Sequence, residues 1–233
     1  MTVNAIHSEE DLRALDAALD GHGQDWWDAF YADRARACPF FVPSPDESLV
    51  RWLQQRQLPP GRALDLGCGN GRNAIYLASR GFSIDAVDYS QAAIDWAAQR
   101  AAAAGARVNL IRSSVFDLQI ADAGYDLVYD SGCFHHIAPH RRAGYVRRVA
   151  AALAPGGWFG MVCFRPEGGS GLSDEQVYQR GSLGGGLGYT DARLRDVWSE
   201  GFTVREIRQL EKQPAQSGLF GESFLWSLWA QRT

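Results

Sequence analysis

The segment Asp65-Leu66-Gly67-Cys68-Gly69-Asn70-Gly71 joins a short apolar run at 63–66 to a stretch of helical character at 70–80. This junction narrows the available folds more than any bulk property of the chain. Glycines permit a tight turn between strand and helix and let a ligand lie close against the backbone. A dinucleotide fingerprint requires G-x-G-x-x-G, whereas these glycines run G-x-G-x-G and follow an acid. A carboxylate two residues ahead of the first glycine repels a pyrophosphate and suits a ligand that carries a positive ammonium group.

Around the loop the pattern alternates. Apolar runs at 63–66, 82–87, 107–111, 127–129 and 158–163 read as strands. Helical stretches fall at 70–80, 91–104 and 141–153, with Pro155-Gly156-Gly157 closing the last, and at 190–199. Runs at 202–209 and 224–231 close the chain as an antiparallel pair. Strands alternating with helices predict a mostly parallel sheet covered on both faces, a Rossmann-like α/β fold. We expect one domain over 1–233, with an N-terminal helical cap over 1–60 and a core over 61–233. The cap contains helices at about 8–19, at 25–36 with Trp27, Phe30 and Tyr31 in helical register, and at 45–57. Residues 166–189 hold eight glycines and one helical turn near 173–180. So long a connection after a strand's carboxyl end predicts a functional cap segment.

The site residues follow from strand ends. Asp88 ends the second strand about twenty residues past the loop, the reach at which a carboxylate accepts ribose hydroxyls. Tyr89 and Ser90 lie beside it for an adenine. Ser114, Val115 and Phe116 follow the third strand and border the adenine edge. Asp130 and Ser131 end the fourth, beside the other end of the ligand. With Asp65, Gly67, Cys68, Gly69, Gly71 and Asn73 of the loop, these are the expected cofactor contacts. An ammonium-bearing nucleoside with a cationic centre fits the set, so S-adenosylmethionine (SAM) is the expected cofactor. Aromatic faces stabilise a sulfonium, which brings forward Phe30, Tyr31, Phe134 and Tyr178, with Trp26 and Trp27 next. His136 or His135 is the expected general base, since imidazole titrates near neutral pH.

At these residues the chain resembles class I SAM-dependent methyltransferases, specifically over about 62–153. The segments Trp27-Asp28-Ala29-Phe30-Tyr31, Phe40-Phe41-Val42-Pro43, Gly132-Cys133-Phe134-His135-His136-Ile137 and Gly186-Leu187-Gly188-Tyr189 are similar to small bacterial members related to tellurite-resistance and thiopurine methyltransferase-like proteins. The resemblance implies a seven-stranded sheet of order 3-2-1-4-5-7-6 and SAM contacts at Asp65, Gly67, Gly69, Asp88 and the Ser114/Val115 pair. Ser114 departs from the acidic residue many relatives carry, which leaves adenine recognition to Asp117 or to backbone.

Three functions fit this reading: methyl transfer to a small-molecule thiol, amine, hydroxyl or chalcogen; intramolecular cyclisation of SAM, as in azetidine-2-carboxylate synthases; or non-catalytic SAM binding. A net charge of −4 offers no basic face for nucleic acid. Cys38, Cys68, Cys133 and Cys163 form no C-x-x-C pair, and the adjacent histidines have no acidic partner at helical spacing, so no metal site is expected. With no signal pattern and no apolar stretch near 20 residues, the chain reads as cytoplasmic and without a membrane partner. The oligomeric state is open.

Overall fold

The structure is a computed structural model that describes residues 8–19, 23–120 and 123–233. Its centre is a seven-stranded sheet: β1 (Arg62–Leu66), β2 (Ser83–Asp88), β3 (Asn109–Arg112), β4 (Tyr125–Ser131), β5 (Leu153–Phe164), β6 (Phe202–Gln209) and β7 (Leu225–Arg232). The spatial order is β3-β2-β1-β4-β5-β7-β6. The first five strands pair in parallel, and β7 inserts antiparallel between β5 and β6. This is the sheet order implied by the family resemblance.

Helices cover both faces. On one lie α3 (Glu47–Arg56), α4 (Arg72–Ser79) and α5 (Gln91–Ala103); on the other lie α6 (Arg142–Ala152) and α8 (Asp191–Val197). Alternation along the strands explains the two cores, because successive side chains point to opposite faces. Leu64, Leu66, Val128, Phe159 and Met161 pack with Val149 of α6 and with Trp198. Ala63, Leu127, Tyr129 and Trp229 pack with Leu49, Trp52 and Leu77. Trp198 is fully buried against Phe159 and Phe134, so its truncation to alanine is expected to cost about 3–5 kcal/mol.

Two local readings change. Helix α6 stops at Ala152 and β5 starts at Leu153, so Pro155-Gly156-Gly157 lies inside a twelve-residue strand. There it forms the irregularity where the pairing to β4 shifts register between Tyr125 and Leu127. The helix expected at 25–36 is shorter, as α2 (Gln24–Ala32). The N-terminal helix α1 (Glu9–Ala17) starts on a Ser8/Asp11 capping box, which satisfies backbone donors that have no partner within the helix. Of the N-terminal segment, 1–7 and 20–22 lie outside the described residues.

The glycine-rich segment is built into the fold. It contains α7 (Asp174–Arg180), opened by a Ser173/Gln176 capping box. Val177, Leu187 and Tyr189 are buried. Its backbone bonds to the core through Leu187 N–H to His135 O (2.8 Å) and Tyr189 N–H to Phe164 O (3.0 Å).

Candidate functional site

Strand order reverses beside β1, whose neighbours are β2 on one side and β4 on the other. Open α/β sheets bind ligands at the carboxyl ends of strands at such a switch point. The crevice there is lined by Tyr31, Phe40 and Phe41, and by Asp65, the 67–70 loop, Arg72, Asn73 and Ser131.

The loop leaves β1 through Gly67 (φ 67°) and Gly69 (φ 53°), both in the left-handed region that glycine enters without steric cost. Space is as restrictive as angle. A Cβ on Gly67 would stand 2.7 Å from the Cys133 Cβ, and one on Gly69 would stand 2.8 Å from the Tyr31 hydroxyl. The protein's own packing of Cys133 and Tyr31 against the loop therefore excludes a side chain at either position.

Three carboxylates converge beneath the loop. Asp65 is 1% exposed and neither of its oxygens has a hydrogen-bond partner. Burial pushes its carboxyl up to about 8, against a smaller downward pull from Arg72. Buried polar groups without partners are rare and need a reason; a ligand ammonium would supply both the missing donors and the missing charge. Asp88 is anchored differently: Gly69 N–H donates to one oxygen (2.8 Å) and Ser90 N–H to the other (2.9 Å). Each oxygen keeps a lone pair for a further donor such as a hydroxyl, and burial holds this carboxyl at about 6. The orphaned Asp65, the half-satisfied Asp88 and the glycine cradle fit a nucleoside with an amino-acid tail.

Asp130 is the third. It accepts from Cys133 N–H (2.8 Å), Phe134 N–H (3.0 Å) and the Tyr145 hydroxyl (2.5 Å). These bonds fix the 132–136 turn, so the carboxylate expected beside the ligand is a turn anchor; burial pushes it up to about 7. Ser131, its neighbour, does line the crevice, with its hydroxyl accepting from Arg72 (2.9 Å).

Other expected contacts divide in the same way. Cys68 lines the crevice, with its thiol pushed well up by burial. Gly71 is the αL residue preceding α4. Asn73 lines the crevice, yet both ends of its amide bond Asp46 at 3.0 Å. Tyr89 is 42% exposed directly after Asp88. Ser90 is fully buried; its hydroxyl caps α5 at Ala93 N–H and donates to Asp28 (2.7 Å). Ser114 folds back onto Phe116 N–H (3.2 Å). Val115 faces the apolar space between β1 and α6 with Leu64 and Tyr145. Phe116 packs beneath the Arg141 guanidinium. Neither of these last two is among the residues that line the crevice.

The residues expected to perform chemistry separate too. Tyr31 sits over Gly69 on the crevice, placed there because Asp28 docks α2 onto the start of α5. His136 is half-buried, its ring edge-on to Trp27 at 4.8 Å. Phe134 is fully buried among Tyr145, Tyr189 and Trp198, which makes it core rather than cofactor wall. Tyr178 is a clasp: its hydroxyl bonds His140 Nδ1 (2.8 Å) and accepts from His140 N–H (3.0 Å), and His140 Nε2 meets Asp16 of α1 (2.8 Å). His135 stacks on Phe164 (3.7 Å), and burial holds its imidazole well below the usual histidine range.

Arg72 and Asp46 were not singled out from sequence. Arg72 is 6% exposed and pairs with Asp46 at 2.6 Å, while Tyr129 donates to Asp46 (2.8 Å). The available signal was an arginine directly after the last loop glycine, at the first turn of a helix with no side-chain cap.

Residues 63–157 match the model of the methyltransferase domain family. The 2-heptyl-1-hydroxyquinolin-4(1H)-one methyltransferase of Mycobacteroides abscessus is 26% identical over 187 residues, covering 80% of this chain and 75% of its own. Among solved structures, the magnesium protoporphyrin IX methyltransferase of Synechocystis with bound S-adenosylhomocysteine superimposes with a TM-score of 0.68 at 19% identity, covering 90% of this chain and 97% of its own. The 1,6-didemethyltoxoflavin-N1-methyltransferase of Burkholderia thailandensis, with its substrate and S-adenosylhomocysteine, gives 0.64 at 21% identity, covering 99% and 92%. Among the described residues no helix is long and apolar enough to cross a membrane.

Proposed function

The chain carries a methyltransferase domain of the class I SAM-dependent superfamily, and we propose that it methylates a small-molecule acceptor whose O–H or N–H is deprotonated as the methyl group arrives. The observation that carries this reading is the pair of unlike carboxylates beneath the glycine loop: Asp65 without any partner and Asp88 with one lone pair left on each oxygen.

SAM supplies an electrophilic methyl group on a positively charged sulfur. Asp65 holds the α-ammonium, and Asp88 accepts the ribose hydroxyls. Charge-assisted hydrogen bonds of this kind contribute about 1.5–3 kcal/mol each. The flat backbone at Gly67 and Gly69 lets the nucleoside settle against β1, and Tyr89 offers an exposed ring for the adenine. Arg72 keeps Ser131 oriented at the end of β4. Tyr31 and α2 close the crevice from above and keep water from the reacting atoms. His136 stands beyond Ser131 and takes the acceptor's proton.

The acceptor is placed in the small-molecule class because the relatives named above act on a hydroxyquinolone, a porphyrin and a toxoflavin precursor by their names. These relatives are methyltransferases and lend no support to the cyclase reading. The net charge of −4 speaks against a nucleic-acid partner. We read the whole chain as one unit, because the N-terminal helices form a wall of the crevice.

Incubation of pure protein with SAM, with and without a panel of phenols, N-heterocycles and thiols, tests the proposal by product analysis. It predicts S-adenosylhomocysteine formed only with an acceptor. Methylthioadenosine formed from SAM alone would contradict it.

A further inference from the structure

A run of neighbouring rings borders the crevice. Tyr31 and Trp27, on α2, lie 6.1 Å apart, and Trp27 meets His136 at 4.8 Å. His136 meets His135 at 4.4 Å, and His135 stacks on Phe164 at 3.7 Å. Phe164 lies tilted to Phe40 at 6.5 Å, and the next residue, Phe41, stacks on Tyr31 at 5.5 Å. Tyr31, Phe40 and Phe41 line the cofactor crevice itself. His135 Cε1 comes within 3.6 Å of where a Cβ on Gly132 would stand, one residue from Ser131. These rings form a collar without an Asp, Glu, Lys or Arg of its own, beside a crevice whose charged side chains are Asp65 and Arg72.

Two further observations give the collar a purpose beyond packing. His135 is 1% exposed, and its Nδ1 has no hydrogen-bond partner, although interiors rarely leave such an atom alone. Gly186, from the glycine-rich segment, lies flat against the His135–Phe164 stack: a Cβ there would stand 2.8 Å from Phe164 Cε2 and 3.1 Å from His135 Cδ2. That segment therefore holds the stacked pair in place from behind.

Resting on the methyl-transfer reading above, we infer that this collar selects a planar, uncharged aromatic ring as the methyl acceptor. Ring faces and edges attract one another through their quadrupoles, which a saturated ring or a small oxyanion does not exploit. The acceptor's oxygen or nitrogen lone pair forms the new bond to the methyl carbon. The carbon–sulfur bond breaks with its electrons retained by sulfur, leaving neutral S-adenosylhomocysteine, and the acceptor's proton passes to His136.

The test is isothermal titration of the full chain, saturated with S-adenosylhomocysteine, against three probes: 1-naphthol, the size-matched saturated 1-decalol, and tellurite. The inference predicts naphthol binding about ten-fold tighter than decalol, as one or two favourable ring contacts would give, with tellurite weaker still. Trp27→Leu and Phe164→Leu should remove that preference and leave S-adenosylhomocysteine affinity within about two-fold, and Trp27→Phe should restore most of it. Equal binding of decalol or tellurite by the wild-type chain, or full naphthol preference in both leucine variants, overturns the inference while the methyl-transfer reading stands. Failure of the wild-type chain to bind SAM or S-adenosylhomocysteine overturns both.

Discussion

Replacing Asp65 by asparagine should move two properties in opposite directions. In the ligand-free chain this carboxyl is buried without a partner and is pushed up from 3.8 to about 8. Between those pH values the folded chain holds a proton that the unfolded chain has released. Stability of the ligand-free protein therefore falls as pH rises through that window, by up to about 1.4 kcal/mol per pH unit from this group, and levels off above about pH 8. Asparagine keeps the shape without the charge, so Asp65→Asn should flatten this contribution and raise the melting temperature of the ligand-free protein at pH 8.5. SAM affinity should drop at the same time. Losing one charge-assisted bond of about 1.5–3 kcal/mol corresponds to a rise in Kd of about 10- to 150-fold. Differential scanning fluorimetry from pH 5 to 9 reads the first effect, and calorimetric titration with SAM at about pH 7, where its α-amine is protonated, reads the second. Methylthioadenosine, which lacks the amino-acid tail, should bind wild type and variant alike. A variant that binds SAM as wild type does, or that is less stable than wild type at pH 8.5 without ligand, would refute the assignment of this carboxylate to the ammonium.

Three other perturbations follow from the same geometry. Gly69→Ala places a Cβ 2.8 Å from the Tyr31 hydroxyl at φ 53°; it should lower stability by about 1–2 kcal/mol in thermal melts and weaken SAM binding, with Tyr31→Phe recovering only the contact part of the loss. His136→Asn should reduce kcat by about 100-fold or more for acceptors whose pKa lies above the assay pH. The deficit should shrink as pH rises past the acceptor's own pKa, and a pH-independent deficit would remove the base role. Tyr178→Phe deletes the hydroxyl that meets His140; stability should fall by about 1 kcal/mol with the SAM Kd unchanged in the same titration.

Much of the architecture was legible because it rests on local signals. Strand periodicity, the helical stretches at 91–104 and 190–199 and the acid-led glycine loop all act within a few residues, and each element they predict is present. The positions of Asp65, which lines the crevice, and of Asp88, which holds the loop through Gly69, were legible for the same reason, since both lie at strand ends. What was not legible depends on distant partners. Asp130 and Ser131 are neighbours with opposite surroundings: one is bound by Tyr145 and the following turn, the other faces the crevice. Phe134 and His136 differ in the same way, because a tight helical turn sends one into the core and the other toward Trp27. Val115 and Phe116 shared the expected position after a strand, but one meets Leu64 and Tyr145 and the other the Arg141 guanidinium, partners supplied by other elements. The Asp46–Arg72–Asn73 cluster joins residues 26 or 27 positions apart in sequence, a pairing no periodicity encodes. Pro155-Gly156-Gly157 read as a turn because proline and glycine disfavour strands; β5 accommodates them where its pairing is already irregular.

The most direct measurement is a crystal structure of the chain with S-adenosylhomocysteine. It should show the α-ammonium within about 3 Å of Asp65 and both ribose hydroxyls at the same distance from Asp88. A ligand seated elsewhere, or lying in this crevice with its amino-acid tail turned away from Asp65, would contradict the account.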